Sequence, residues 1–401
     1  MKKRLLIYTR SYYENKVLYL SGVFDYLEKN FDISILVNNK YHDSAPIKFF
    51  NNPNCYNLKI SFFQQILLNI KIFFSKTIQL SHNIRNSNSS YSILIETLFK
   101  TFNIFIPKIF VSNKVFFYLL NSKVLKSIFL ICSFNPFFLI LKIFNFIPNS
   151  NKKNNLIIFD YILFGSPFTK DAQFVLRNFS HDETKSIALI RNIDTIPCKG
   201  FFSIPYDLIL YPYRCMSDLF INYKFINKPR KKLHLNSYSK KLISYSKSKS
   251  DQIISFAPSC KFLNPFDPKI AYLAFSIANE IFSSKCRLQL RLMASDNLDR
   301  FSSILNCFDF EIYYVPENLN SKEVINSDLT NLSKSLVVIS STSTVVLDAS
   351  IMGIKSALYN PLLANKSLYE REHIRLLNEM FNIPIITNKE NLKLFISSLP
   401  L

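Results

Sequence analysis

Short apolar runs alternate along this chain with longer amphipathic stretches, the pattern of buried parallel strands joined by helices. Leu5–Tyr8 predicts a first buried strand, about Val17–Lys29 a helix and Ile33–Val37 a second strand, which together make a βαβ start. Beyond residue 155 the alternation resumes, with strands at Leu156–Phe159, Ser186–Ile190 and Asp207–Tyr211 and helices at Lys170–Asn178 and Ser217–Tyr223. A further series has strands at Ile253–Phe256, Arg287–Leu292, Glu311–Tyr314, Leu336–Ile339 and Ser356–Tyr359, with helices at Ile270–Phe282 and about 369–380. The fold predicted is α/β: two Rossmann-like domains facing across a cleft, with ligands at the C-terminal ends of the strands.

Residues 61–147 interrupt the pattern with long, Phe-rich, Lys-punctuated stretches that predict helices at about 62–79, 91–106 and 114–146. The most apolar of these, residues 127–141, is bounded by Lys126 and Lys142 and carries Pro136. A spanning helix needs roughly 20 apolar residues, so this segment reads as buried, or as interfacial with its lysines on anionic lipid. From Asn227 the chain becomes basic and rich in serine (Lys228, Arg230, Lys231, Lys232, Lys240, Lys241, Lys247, Lys249). The reading is an N-terminal domain at 1–235, a basic linker at 236–250 and a C-terminal domain at 251–401.

Charge sharpens this division. Residues 1–250 hold 35 Lys and Arg against 13 Asp and Glu, whereas residues 251–401 hold 14 against 15. A genome-wide lysine bias would not spare one half, so the N-terminal part is expected to meet an anionic surface. Nucleic acid is not the expected partner, because the basic residues are spread through apolar helices and no nucleic-acid motif is present. Seven scattered cysteines without CxxC spacing exclude a zinc ribbon or a disulfide framework and fit a reducing, cytoplasmic setting. No secretory signal is read at the N-terminus, since the apolar run after Lys2-Lys3-Arg4 ends before Arg10.

The chemistry concentrates after Leu336–Ile339, where Ser341, Thr342, Ser343 and Thr344 precede a helix that closes at Gly353. Hydroxyls at a strand-to-helix turn suit a phosphate, because the first helical N–H groups lack partners there; they also suit a plain helix cap. Asp348, four residues after Thr344, lies on a similar face and could accept hydrogen bonds from ribose hydroxyls, or simply favour a helix start. The turns after the preceding strands add Ser259, Arg291, Glu317 and Asn318. The glycine-rich dinucleotide fingerprint is absent after the first strand, where Thr9-Arg10-Ser11-Tyr12 stands instead.

The run Ser340–Gly353, a strand followed by S-S-T-S-T-V-V-L-D-A-x-x-x-G, resembles the nucleotide-sugar half of GT-B type bacterial glycosyltransferases. More narrowly it is similar to those of surface carbohydrate (polysaccharide) biosynthesis, and distantly to bacterial CMP-sugar transferases. The resemblance implies that Ser341, Thr342, Ser343 and Thr344 bind the donor's phosphates and that Asp348 binds its ribose. A second likeness is Arg191-Asn192-Ile193-Asp194, closed by Lys199-Gly200. The His-Pro pair of many CMP-sugar transferases is missing after Leu290-Arg291-Leu292-Met293-Ala294, and Arg291 stands as the alternative phosphate cation.

Sugar transfer needs a base for the acceptor hydroxyl and a positive partner for the leaving phosphate. Asp194 is the first candidate base, Asp160 and Asp171 are alternatives, and Arg191, Asn192 and Lys199 make up the acceptor side. No DxD motif and no histidine spacing indicates a metal, and no cofactor is expected beyond the nucleotide sugar as substrate. The function expected is metal-independent, inverting transfer of a sugar from a nucleotide donor to a lipid-linked or glycan acceptor, at the inner face of the plasma membrane. A nucleotide-sugar 2-epimerase, a polyol-phosphate transferase and a non-catalytic relative of the same fold are the alternatives.

Overall fold

The computed structural model describes residues 2–38, 42–43, 45–61, 64, 68, 157–169, 171–193, 202, 204–222, 229–246, 252–259, 266–293, 296, 298–316, 321–359, 361 and 372–400. Apart from Gln64 and Leu68, the helices expected at about 62–79, 91–106 and 114–146 lie outside these residues, as do Asp194, Lys199, Glu317 and Asn318. The chain forms two compact units: the described residues up to Tyr238, with Ser321 and Lys322, make the first, and the remaining described residues from Ser239 make the second. Each is built on its own parallel sheet covered by helices, so the protein is α/β with two Rossmann-like domains.

In the first unit the elements run β1 (Lys3–Tyr8), α1 (Tyr12–Leu20), α2 (Val23–Asn30), β2 (Phe31–Asn38), β3 (Asn54–Leu58), β4 (Tyr161–Phe164), α3 (Ala172–Phe179), β5 (Lys185–Leu189), β6 (Leu208–Tyr211), α4 (Met216–Asn222) and β7 (Lys231–His234). The seven strands lie in the order β3-β2-β1-β4-β5-β6-β7, all parallel. Leu5, Leu6, Ile7, Ile35, Leu36, Ile162 and Leu163 fill the middle of the sheet and are fully shielded from solvent. Burial on both faces explains why these strands read as continuous apolar runs.

After β7 come α5 (Asn236–Ile243), β8 (Ile253–Ala257), α6 (Asp267–Phe282), β9 (Arg287–Met293), α7 (Ser302–Leu305), β10 (Phe310–Val315), α8 (Lys322–Ser333), β11 (Ser335–Ser340), α9 (Val345–Ile351), β12 (Lys355–Tyr359), α10 (Glu372–Phe381), β13 (Ile385–Ile386) and α11 (Lys389–Ser397). Six of these strands form a second parallel sheet, β10-β9-β8-β11-β12-β13. Ile254, Phe256, Leu290, Leu292, Val337 and Ile339 pack there against Ala271, Ala274, Phe275 and Ala278 of α6. Small residues on α6 let the helix lie close to the sheet.

The sequence pattern differs from the fold in three instructive places. The single helix expected over Val17–Lys29 is two helices, because Gly22 adopts a left-handed backbone (φ 72°) and the Ser21 hydroxyl donates to the Val17 carbonyl. The strand expected at Leu156–Phe159 begins instead at Tyr161: Asp160 marks its start, its carboxylate accepting from the Arg4 N–H at 2.8 Å. Within the stretch read as a basic linker, 236–250, α5 buries Tyr238 and Leu242 beneath its exposed lysines, while β7, just before it, extends the first sheet. A lysine-rich helix still holds a buried side when every third or fourth residue is apolar. Among the described residues no helix is long and apolar enough to cross a membrane.

Candidate functional site

Both sheets are laid down outward from their first strand and then continued on its other side. The second sheet starts with β8, grows to β9 and β10, and crosses back to place β11 against β8. At such a switch point the two outgoing chains diverge, leaving a crevice beyond the C-terminal ends of the strands where α/β proteins bind ligands. Ser259 follows β8 and Ser340 ends β11, so the hydroxyl-rich turn stands at this crevice.

The turn's residues divide by environment. The Ser341 hydroxyl is fully buried and lies 2.9 Å from that of Ser259, so it ties the two strand ends together. Thr342 is also buried, and its hydroxyl oxygen finds no hydrogen-bond partner among the described residues. Ser343 and Thr344 are half-buried; the Ser343 N–H donates to Ser340 Oγ at 2.9 Å. Asp348 stands in the first turn of α9, 9% exposed, and Gly353 (φ 78°) follows the helix in the left-handed conformation.

Arg291 does not join this turn. It lies on β9, separated from β11 by β8, and its guanidinium is buried in an ion pair with Asp328 of α8. It also donates to Asn331 Oδ1 at 2.6 Å and stacks over Tyr313, 4.6 Å from the ring centre. Burial, then the neighbouring Asp328 carboxylate, pushes the Tyr313 hydroxyl up to about 12, so it stays protonated. The structure thus sets the Arg291 charge against Asp328, within the packing of α8 on the sheet, and not at the hydroxyl turn where the sequence reading has it as a phosphate cation.

A residue the sequence reading missed sits beside the turn. Asp267, the first residue of α6, is fully buried and its Oδ2 accepts from the Ser259 N–H at 2.9 Å and from Arg300 Nη2 at 2.7 Å. Arg300 Nη1 donates in turn to the Ser259 carbonyl at 3.1 Å. Burial pushes the Asp267 carboxyl up to about 6, with Arg300 pulling in the opposite direction. The local signal was present: an Asp-Pro pair before an apolar run marks a helix start.

In the first sheet the corresponding crevice lies between β1 and β4. Tyr8 ends β1 and donates its hydroxyl to Asp171, which also faces Arg10 Nη1 at 3.9 Å. Burial, reinforced by the Asp171 charge, holds the Tyr8 hydroxyl far above its ordinary range and keeps it a donor. Arg191, just beyond β5, donates to Ser11 Oγ at 2.6 Å and so reaches the turn after β1. Asn192 is used locally, its Oδ1 accepting from the Ile193 N–H. Asp160 belongs to the opposite end of the sheet, where it pairs with the Arg4 backbone. Of the acid groups considered for proton transfer, Asp171 is thus the described one at the C-terminal end of the first sheet's strands.

Glu14 explains the shape of this edge. Ser11 caps α1 by accepting from the Tyr13 N–H, and Glu14 reaches back to accept from the Arg10 N–H at 2.9 Å, a variant of the reciprocal cap. Its carboxylate lies against Gly165, where an added Cβ would sit 2.1 Å from Oε2. Gly165→Ala is expected to displace Glu14 and cost about 1–3 kcal/mol. Thermal unfolding of the single variants and of Gly165→Ala with Glu14→Ala checks this: the pair should cost less than the sum of its parts.

No protein-family model and no curated protein matches the chain. Among solved structures it is similar to a UDP-GlcNAc 2-epimerase from Methanocaldococcus jannaschii (TM-score 0.47, 11% identity, 99% of this chain and 92% of that one). It is also similar to the E. coli heptosyltransferase WaaC bound to ADP-2-deoxy-2-fluoro heptose (TM-score 0.35, 10% identity, 89% and 88%). A third is the spinosyn rhamnosyltransferase SpnG (TM-score 0.39, 8% identity, 99% and 97%). At these values the likenesses carry no argument about activity, and the fold assignment stands on the strand orders above.

Proposed function

We propose that the protein is an enzyme that binds a nucleotide-activated sugar at the β8/β11 crevice and transfers the sugar to a hydroxyl of a lipid-linked or glycan acceptor. The observation that carries this reading is the run of hydroxyl residues from Ser340 to Thr344 at the switch point of the second sheet. Ser343 and Thr344 are the proposed phosphate ligands and Asp348 the proposed ribose ligand. Leaving the Thr342 hydroxyl buried and unpaired costs about 1–3 kcal/mol, which a small rotation of the turn toward a phosphate oxygen would relieve. In the transfer, the acceptor oxygen bonds to the anomeric carbon as the bond from that carbon to the phosphate oxygen breaks. Asp171 takes the acceptor proton, and Arg10 and Arg191 supply positive charge on that side.

Thermal shift against UDP, CMP, CDP, GDP and ADP sugars tests the donor reading. One base should stabilise the protein selectively, by an amount that grows with concentration, and Ser343→Ala with Thr344→Ala should abolish the shift. The excess of cations in residues 1–250 supports an acceptor held at an anionic membrane. Flotation with anionic vesicles should therefore capture the protein at low salt and release it at high salt.

A second reading is epimerisation of the nucleotide sugar itself, favoured by the two buried carboxylates, Glu14 and Asp171, at one sheet edge. Incubation of the selected nucleotide sugar in D2O without acceptor separates the two. Deuterium entering the sugar ring supports epimerisation, and an unlabelled donor that is consumed only with acceptor supports transfer.

A further inference from the structure

Asp267 and Arg300 form a buried pair at the base of the proposed donor crevice, yet neither side chain belongs to the hydroxyl turn. Arg300 is 12% exposed and Asp267 fully buried; Oδ2 carries the Asp267 hydrogen bonds, while its Oδ1 finds no hydrogen-bond partner among the described residues, so the pair is held at a desolvation cost. Here it brackets Ser259: Asp267 takes the Ser259 N–H, Arg300 takes the Ser259 carbonyl, and the two are bonded to each other. The Ser259 hydroxyl lies 3.2 Å from Asp267 Oδ2 and 2.9 Å from the Ser341 hydroxyl. A chain of contacts thus runs from Arg300, in the short 3-10 turn Leu298–Phe301, through the start of α6 and the end of β8 to the end of β11. It crosses the one place in the sheet where neighbouring strands lead their chains apart.

We infer that Asp267 and Arg300 are positioning residues, fixing Ser259 and through it Ser341 so that the turn Ser341–Thr344 is held ready for the phosphate of the ligand. The inference deepens the donor reading and rests on it for the identity of the ligand. Its physical basis is that a connected buried polar network admits one arrangement of its members, whereas apolar packing at the same site would let the strand ends shift. Among the described residues, the charged group that faces Asp267 is Arg300, which itself meets Asp296 at 3.8 Å; Ser259 and Ser341 contribute hydroxyls. Protonating Asp267 removes the ionic half of the pair and loosens Ser259.

Hydrogen–deuterium exchange of the ligand-free protein tests this without assuming any ligand. Asp267→Asn should speed exchange across residues 340–345 by roughly tenfold or more, as expected for loss of a charge-assisted bond, while β9 and β12 stay protected. Arg300→Lys, which keeps the charge, should restore part of the protection that Arg300→Met loses. Equal acceleration in all strands, or none in the turn, would overturn the inference. The second arm needs no variant. Affinity for the nucleotide sugar selected by thermal shift, a phosphodiester that does not titrate in this range, should fall as pH drops below about 6, where Asp267 takes up its proton. A flat wild-type profile would also overturn it. Accelerated turn exchange in a protein that binds no nucleotide sugar would leave the relay standing and sink the donor reading instead.

Discussion

Asp171→Asn is expected to lower turnover by roughly 100- to 10,000-fold, the range for loss of a general base, while leaving donor affinity within a factor of about two. Asp171 is buried at the C-terminal end of the first sheet, accepts from the Tyr8 hydroxyl and faces Arg10. Asparagine keeps the shape and can still accept from Tyr8, but it cannot take a proton. Tyr8→Phe is the matching control. It removes a hydroxyl that burial keeps protonated, so it should reduce turnover far less than Asp171→Asn. Steady-state rates with melting curves on the same samples distinguish lost chemistry from lost folding. Turnover of Asp171→Asn within a few-fold of wild type would remove Asp171 from the mechanism and return attention to Asp194.

Asp328→Ala should destabilise the second domain by about 3–5 kcal/mol, because it leaves the Arg291 guanidinium buried without its counter-charge. For a unit of this size the melting temperature should fall by on the order of 10 °C. Replacing both partners, Arg291→Met with Asp328→Leu, should recover most of the loss, since the desolvated charge disappears with its partner. Nucleotide affinity of that double variant should match wild type if Arg291 is structural. A large loss of affinity in a variant that melts normally would restore Arg291 to the binding site.

Much of the fold was legible because buried parallel strands announce themselves. Ile253–Phe256 and Leu336–Ile339 read correctly to within a residue or so, each being apolar on both faces. Edge strands were harder: β3 buries only Leu58 and β7 carries two exposed lysines, so neither shows the apolar run of a central strand. The hydroxyl turn was visible as a local motif, and so was Gly353, whose position demands a left-handed backbone. What the sequence could not reveal was which hydroxyls are already occupied. Ser341 is bonded across the sheet to Ser259, a residue 82 positions away. Arg291 is neutralised by Asp328, 37 positions on. Such pairings depend on strand order, and strand order is set by crossovers that local periodicity does not encode. The Ser-x-x-Glu cap at Ser11–Glu14 was readable and would have located the start of α1.

The donor claim is tested most directly by hydrogen–deuterium exchange of the protein with and without the nucleotide sugar that stabilises it. Binding at the proposed crevice predicts protection confined to the segment after β8 that holds Ser259 and to residues 340–348, and its loss in Ser343→Ala with Thr344→Ala. Protection elsewhere in the chain, or tight binding that leaves both segments exchanging at their unliganded rates, would contradict the account.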